Sequence, residues 1–200
     1  MIFGAGREKY HIHYMNIVTA VTGLVALAII YNYVETGGQE LVRVKSTVDG
    51  QSYLVLNKTD KVAAADMLAK LRAKMRTFIS RLDKTDPAVS RLNRKFSAVL
   101  VENGPTSKYT SYTVNKGHKM FMCVRERDAG DALVDENTLF FVALHELAHV
   151  MSVSVGHTGE FWDHFKYLLQ RAKDEGFYQY QDYSKEPQKY CGMTIAKNPL

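Results

Sequence analysis

The chain has 200 residues, of which 46% are hydrophobic and 24% are charged, with only four prolines. This composition fits one globular domain with a short appendage and excludes a largely disordered protein. The formal net charge of +5 at pH 7 favours anionic partners such as membrane surfaces or nucleic acid, without naming one. Two cysteines, Cys123 and Cys191, exclude a disulfide framework and leave open either one bridge or two free thiols.

The N-terminal part of the chain contains one long apolar segment. Residues 14–34 read YMNIVTAVTGLVALAIIYNYV and contain no charged side chain. A helix of this length, at about 1.5 Å per residue, would cross a hydrocarbon core of roughly 30 Å. We therefore expect an N-terminal tail over residues 1–13, a transmembrane anchor over 14–34, a linker over 35–45 and a folded domain over 46–200. A signal peptide or a buried core helix is the alternative for the apolar segment.

The charges beside this segment predict its orientation. Arg7 and Lys9 precede it, whereas Glu35 and Glu40 follow it. The positive-inside rule then places the N-terminus in the cytosol of a single-pass membrane protein.

Two short strands and two helices are predicted next. Residues 42–48 and 52–56 alternate and are rich in β-branched side chains. Asp60 is expected to cap a helix of about 22 residues, because apolar residues then recur at three- and four-residue spacing. Asp86, followed by proline, opens a second helix that is predicted to continue as far as a turn over residues 102–105.

A hairpin and two further helices complete the predicted fold. Residues 111–114 and 119–125 flank a turn-forming sequence at 115–118, which is typical of a β-hairpin. An apolar segment over residues 139–155 and an amphipathic one over residues 159–175 each predict a helix. The tail that follows is rich in tyrosine and is expected to be irregular. The predicted fold class is α+β, with a small sheet beside helices.

The sequence His145-Glu146-Leu147-Ala148-His149 lies inside the apolar helix. Histidines four residues apart project from the same face of a helix, so both imidazoles can bind one ion. Glu146 lies about 100° round the helix from His145, where its carboxylate can reach a metal-activated water without being a ligand. In hydrolytic zinc sites the metal polarises a carbonyl and such a glutamate moves the proton. The motif therefore predicts zinc as the cofactor.

A catalytic zinc site needs a third protein ligand and one open position. His157 is the first candidate, because Gly156 can turn the chain back and Thr158 can then cap the next helix. A surface histidine at a helix junction is the alternative interpretation. Glu160 is the second candidate ligand, and His164 is expected to lie at the surface or behind the ligands.

These motifs resemble a known group of enzymes. HELAH followed by GHTGEFWDHF at residues 156–165 is similar to the SprT-like and WLM branch of zincin metallopeptidases. The segments at 181–184 and 189–194 also resemble predicted metallopeptidases of large DNA viruses. The resemblance implies a zincin-like sheet packed on the HExxH helix, with His145, His149 and His157 as metal ligands and Glu146 as the catalytic residue. It also implies that Phe161 and Trp162 pack the last helix under the site.

The zincin resemblance has two further implications for the cleft. In zincin folds an edge strand lies above the metal-binding helix and pairs with an extended substrate, and residues 119–125 are the candidate strand. The group that stabilises the oxyanion remains open among Tyr180, Tyr183 and Tyr190.

Three functions are compatible with these features. The first is a membrane-anchored zinc endopeptidase, with Glu146 as general base, acting on a protein or peptide substrate near a viral or host internal membrane that residues 14–34 contact. The second is a membrane-anchored structural or virion protein that retains a zincin fold without turnover, which an intact Glu146 disfavours. The third is a DNA-associated protease. Basic residues are frequent between residues 70 and 95, but a solvated helix face explains them more simply.

Overall fold

A computed structural model describes residues 5–36, 40–128 and 130–200, and the chain divides into two compact units over residues 1–39 and 40–200. The first unit contains one long helix, α1 (Ala5–Thr36). The described part of the second unit contains a five-stranded sheet, four helices and a two-stranded hairpin.

The single-pass membrane location predicted from residues 14–34 is wrong. In the parts of the chain that the structure describes, no helix has the combination of length and apolar character needed to cross a membrane. Asn16 and Asn32 bound the apolar stretch of the sequence. The residues between them extend for only about 22 Å in a helix, less than the roughly 30 Å of a hydrocarbon core. The predicted anchor and its contact with lipid are therefore not supported.

The strands of the larger sheet are β1 (Leu41–Lys45), β2 (Ser52–Leu56), β3 (Leu100–Glu102), β4 (Tyr112–Val114) and β5 (Lys119–Met122). Their order across the sheet is β1-β2-β3-β5-β4. β1 pairs antiparallel with β2, β3 lies parallel to both β2 and β5, and β4 pairs antiparallel with β5. The strands predicted near residues 42–48 and 52–56 and the hairpin around residues 115–118 are thus confirmed.

The helices of the second unit are α2 (Lys61–Arg81), α3 (Pro87–Lys95), α4 (Glu136–Met151) and α5 (Gly159–Asp174). Asp86 caps α3 by accepting hydrogen bonds from the backbone N–H groups of Ala88 and Val89, as the sequence predicts. Asp60 stands at the start of α2 but makes no side-chain cap. Its carboxylate instead pairs with the buried guanidinium of Arg125.

The second predicted helix is shorter than expected. α3 ends at Lys95, and residues 100–102 form β3 in the middle of the sheet. Ala98 has a φ of 60°, a left-handed conformation that does not occur inside a right-handed helix. The run Val99-Leu100-Val101 is apolar and partly β-branched, and Leu100 and Val101 are both buried, as is usual in a central strand next to parallel neighbours. The sequence predicts a helix for these residues because their apolar side chains continue the helical spacing of the preceding segment.

The main core lies between one face of the sheet and the helices. Side chains from β2, β3 and β5 pack with those of α2, α4 and α5, and a smaller apolar cluster covers the opposite face. Phe78 of α2 meets Phe140 of α4 edge to face, with ring centroids 6.1 Å apart. α4 contacts α2, α3, α5 and β4, so its orientation is fixed from several sides.

The C-terminal tail is more ordered than the sequence suggested. It contains a hairpin of β6 (Gln188–Tyr190) and β7 (Met193–Ile195). Cys191, in the turn of this hairpin, forms a disulfide with Cys123 at the end of β5. Of the two alternatives for the cysteines, the structure has the single bridge, which ties the tail to the sheet.

Candidate metal centre and cleft

α4 carries the two histidines and the glutamate of the HExxH motif. Asp135 starts this helix by accepting a hydrogen bond of 2.7 Å from the backbone N–H of Thr138. The rings of His145 and His149 lie on one face of the helix, and their centroids are 5.0 Å apart. Glu146 lies deeper, with 4% of its surface exposed.

The loop between α4 and α5 brings His157 to the same place. Gly156 has a φ of 85°, in the region that favours glycine, and the chain reverses there. The Nε2 atoms of His157 and His145 lie 3.0 Å apart. The ring of His157 is 4.9 Å from the ring of His145 and 5.0 Å from that of His149, so the three rings form a nearly equilateral triangle.

This triangle fits one small divalent cation. One nitrogen from each of the three histidines lies within 4.8 Å of the other two. Tetrahedral zinc with imidazole ligands at about 2.0–2.1 Å places the ligand nitrogens roughly 3.4 Å apart, similar to the observed separation between His145 and His157. Three neutral imidazoles form the donor set of one class of hydrolytic zinc centre. The residues present therefore suit zinc, although other divalent ions accept the same donors.

The surroundings keep two of the histidines neutral. Burial, together with the charges of His149 and His157, lowers the pKa of His145 to about 3. Burial, together with the charges of His157 and Lys116, lowers the pKa of His149 to about 4. Metal ligation requires the unprotonated ring, so near neutral pH these two side chains offer nitrogen lone pairs to a cation.

Glu146 lies where α4 meets β4. Burial raises the pKa of its carboxyl to about 8, although a hydrogen bond from the backbone N–H of Thr113 acts in the opposite direction. A carboxyl whose pKa lies near neutrality can both take up and return a proton under ordinary conditions.

Two charged side chains hold the loop that carries His157. Glu160 accepts hydrogen bonds from the backbone N–H groups of Val153 (2.8 Å) and Ser154 (2.9 Å). These bonds occupy the carboxylate that was the second candidate ligand, so Glu160 supports the loop instead of joining the histidines. Lys116 donates to the carbonyls of His149, Ser152 and Ser154, at 3.3, 3.0 and 2.6 Å.

Aromatic side chains from α5 support the triangle from below. Phe161 is fully buried and stacks on the ring of His149, with the centroids 4.3 Å apart. Trp162 is 46% exposed, and its ring lies 5.9 Å from that of His157. Of the two aromatic residues expected under the site, only Phe161 is therefore buried there. His164 lies behind the site, where its Nδ1 is 2.9 Å from the hydroxyl of Ser152.

The strand nearest the site differs from the sequence prediction. Residues 119–125 were expected to form the edge strand, but β5 lies inside the sheet between β3 and β4. The edge strand is β4, whose residue Thr113 contacts Glu146. The prediction gave β5 no second neighbour, because the residues of β3 were assigned to a helix.

Two cavities meet at the candidate metal centre. The larger has a volume of about 730 Å³ and the smaller about 540 Å³. His145, Glu146 and His157 line both, as do Tyr109 and Ser111. Together the cavities form one cleft with the three histidines at its middle.

The three tyrosines proposed for the oxyanion have different positions. Tyr190 lines the larger cavity, and its hydroxyl donates to the carbonyl of Cys123 and lies 2.8 Å from the hydroxyl of Ser111. Tyr183 is buried against Phe141, and Tyr180 lies at the surface. Of the three, only Tyr190 is among the described residues that line the cleft.

Sequence reasoning missed several residues of the cleft. Tyr109 and Thr113 come from the β4 side, and residues 193–199 form a wall of the larger cavity. The turn-forming run at 115–118 was a signal for Lys116, because it predicted a hairpin close to the motif helix. The tail carried no signal for its place beside the cleft.

Basic side chains between residues 70 and 95 are partly engaged within the protein. Lys70 pairs with Glu136, Arg81 pairs with Glu175, and Arg91 donates to the carbonyl of Met151. These contacts agree with a structural role for this surface, and the nucleic-acid partner is not supported.

The chain is similar in sequence to proteins of several viruses. No protein-family profile matches it. It is 33% identical over 193 residues to protein R325 of Acanthamoeba polyphaga mimivirus, an alignment that spans 92% of this chain and 98% of that protein. The chain belongs to the family of this mimivirus protein.

Two further proteins of similar sequence also come from viruses. Protein 136R of invertebrate iridescent virus 6 is 39% identical over 93 residues, which are 45% of this chain and 49% of that protein. Protein 042R of invertebrate iridescent virus 3 is 43% identical over 85 residues, which are 42% of this chain and 50% of that protein. Each of these two similarities covers about half of the proteins compared.

Solved structures give a more distant likeness. Wss1 from Saccharomyces cerevisiae matches 61% of this chain and 89% of its own, with a TM-score of 0.48 and 20% identity. Wss1 from S. pombe matches 59% and 92%, with a TM-score of 0.42 and 24% identity.

Proposed function

We propose that this protein is a zinc-dependent endopeptidase with Glu146 as its general base. The observation that carries the proposal is the convergence of His145, His149 and His157 on a cleft that Glu146 also lines. The resemblance of the HExxH segment to the SprT-like and WLM branch of zincins supports the same conclusion.

The roles of the residues follow from their positions. His145, His149 and His157 would hold the ion through neutral ring nitrogens. When bound, zinc supplies Lewis-acid polarisation of the scissile carbonyl and makes water acidic enough to lose a proton near neutral pH. Glu146 takes the proton of the attacking water and then donates it to the leaving amine. A cation held by the three histidines would favour the charged carboxylate, which is the form that can accept this proton.

The edge strand gives the proposed substrate a place to bind. A peptide in extended conformation can add to the edge of a sheet through backbone hydrogen bonds, which depend little on its sequence. β4 is the edge strand beside Glu146. An extended segment of a protein or peptide is therefore the proposed class of substrate.

The experiment measures metal content and proteolysis on the same samples. The full chain is purified without chelators, and wild type is compared with Glu146→Gln, His157→Ala and the control His118→Ala, which changes an exposed histidine outside the triangle. Zinc is measured by mass spectrometry and cleavage is measured with unfolded casein.

The expected zinc contents and cleavage rates distinguish metal ligands from the general base. Wild type and His118→Ala should hold one zinc per chain and cleave casein. Glu146→Gln should hold zinc without cleaving, and His157→Ala should lose most of the metal. A wild-type protein that cannot be loaded with any divalent ion would overturn the proposal. Loading without cleavage of any protein substrate would favour the non-catalytic alternative.

A further inference from the structure

The larger cavity has features that the hydrolytic chemistry does not use. Beyond the residues around the metal centre, it is lined by Phe141 and Val142 of α4, by Trp162 and Phe165 of α5, and by residues 193–199 of the tail. Its walls are mostly apolar. A volume of about 730 Å³ lies in the range of roughly 300–1,000 Å³ that is usual for small-molecule sites.

The two cavities lie in a defined order along β4. Tyr109, Thr110 and Ser111, which precede β4, line the larger cavity. Tyr112 and Thr113, within β4, line the smaller one, together with residues 115 and 116 that follow the strand. A path along the strand from its N-terminal to its C-terminal end therefore leads from the larger cavity to the smaller.

A bound peptide would pass the cavities in a defined order. Antiparallel pairing is the more stable arrangement of two strands. A peptide antiparallel to β4 would place its N-terminal part beside the smaller cavity and cross the metal centre. The first residue after the scissile bond would then reach the larger cavity.

We propose that the larger cavity binds a large apolar side chain, such as leucine or phenylalanine, of the residue immediately C-terminal to the scissile bond. This inference rests on the proposed peptidase function and specifies its substrate class. The tail segment 193–199 is then a determinant of specificity, because it forms one wall of the cavity.

The composition of the walls explains the preference. An apolar side chain gains free energy by leaving water, whereas a charged side chain would lose its hydration among apolar neighbours. A hydrophobic pocket discriminates by about 10–200-fold for each methylene group gained or lost. We therefore expect at least about a tenfold advantage of leucine over alanine at this position.

The first experiment maps cleavage. Wild type loaded with zinc is given acetylated, amidated glycine–serine peptides in which one central residue is leucine, phenylalanine, alanine or aspartate. Products are identified by mass spectrometry. We expect leucine and phenylalanine peptides to be cut fastest, with the apolar residue at the new N-terminus. Equal rates for all four, or an apolar residue at the new C-terminus, would refute the inference while leaving the peptidase function intact.

The second experiment measures binding without turnover. The chain has a single tryptophan, Trp162, and it lines the larger cavity, so its fluorescence reports occupancy. Glu146→Gln protein is titrated with the leucine and alanine peptides. The leucine peptide should bind at least about tenfold more tightly. Equal affinity for both would contradict the inference even if wild type had no detectable proteolysis.

A substitution in the tail tests the wall itself. Ala196 is exposed and lines the cavity, so Ala196→Phe would fill part of its space. Ala63→Phe places the same ring at an exposed position on α2 as a matched control. In the Glu146→Gln background, Ala196→Phe should abolish the preference for leucine over alanine, whereas Ala63→Phe should retain it. Retention by both variants would exclude the tail as a determinant of specificity.

Discussion

Replacing Glu146 with glutamine is expected to reduce activity and to stabilise the metal-free protein. Glutamine has nearly the same shape as glutamate but cannot take a proton from water. Loss of a general base of this kind costs about 10²–10⁴-fold in rate. Zinc should be retained, because the three proposed ligands are unchanged.

The magnitude of the stabilisation follows from the pKa of the carboxyl. Burial raises it from 4.5 to about 8. Between these values the unfolded chain releases the proton and the folded chain keeps it, so the stability of metal-free wild type falls as pH rises. The fall is about 1.4 kcal/mol per pH unit, which amounts to about 3 kcal/mol at pH 7. Above pH 8 the penalty no longer grows.

The assay is urea unfolding, followed by circular dichroism in the presence of EDTA between pH 4.5 and pH 8.5. Glu146→Gln and wild type share all other titrating groups, so the difference between them isolates this carboxyl. The difference should be small near pH 4.5 and reach about 3 kcal/mol at pH 7. Glu136→Gln, which removes an exposed carboxyl from the same helix outside the cleft, is measured alongside as a control. Parallel curves for wild type and Glu146→Gln would refute the reasoning.

Three other perturbations test the supports of the site. Lys116→Met removes a donor to three carbonyls around the end of α4, and we expect zinc affinity to fall by about tenfold in a competition assay with a chelating dye. Asp135→Ala removes the N-cap of α4 and should cost about 1 kcal/mol in urea unfolding. Replacing both Cys123 and Cys191 by serine removes a cross-link across 68 positions and should cost about 4 kcal/mol in urea unfolding, because the reduced unfolded chain gains conformational entropy. A change below about 0.5 kcal/mol in either unfolding experiment would contradict the corresponding assignment.

The sequence was most informative where local chemistry decides the structure. Asp86 with Pro87 defines a helix start regardless of what surrounds it, and the turn sequence at 115–118 specifies a hairpin in the same way. The HExxH spacing places two histidines on one helix face for geometrical reasons alone. Gly156 indicated the chain reversal that brings His157 to them, and the structure has this arrangement.

The sequence predictions were wrong mainly for segments whose neighbours in the folded protein lie far away in the sequence. Residues 100–102 form a strand because they lie between β2 and β5, which local spacing does not reveal. β4 rather than β5 is the edge strand for the same reason. Glu160 has a suitable charge for a ligand, but the N–H groups of the loop compete for it. The apolar character of residues 14–34 was overestimated, because asparagines near both ends of the segment were counted as part of a span.

The cleft is assembled from parts of the chain that are far apart in sequence. The proposed reacting groups lie between His145 and His157, whereas one wall of the larger cavity comes from residues 193–199. Substitutions in the tail would therefore leave the proposed metal ligands and the proposed general base untouched. The shape of the larger cavity would change in this way while the proposed chemistry stayed the same.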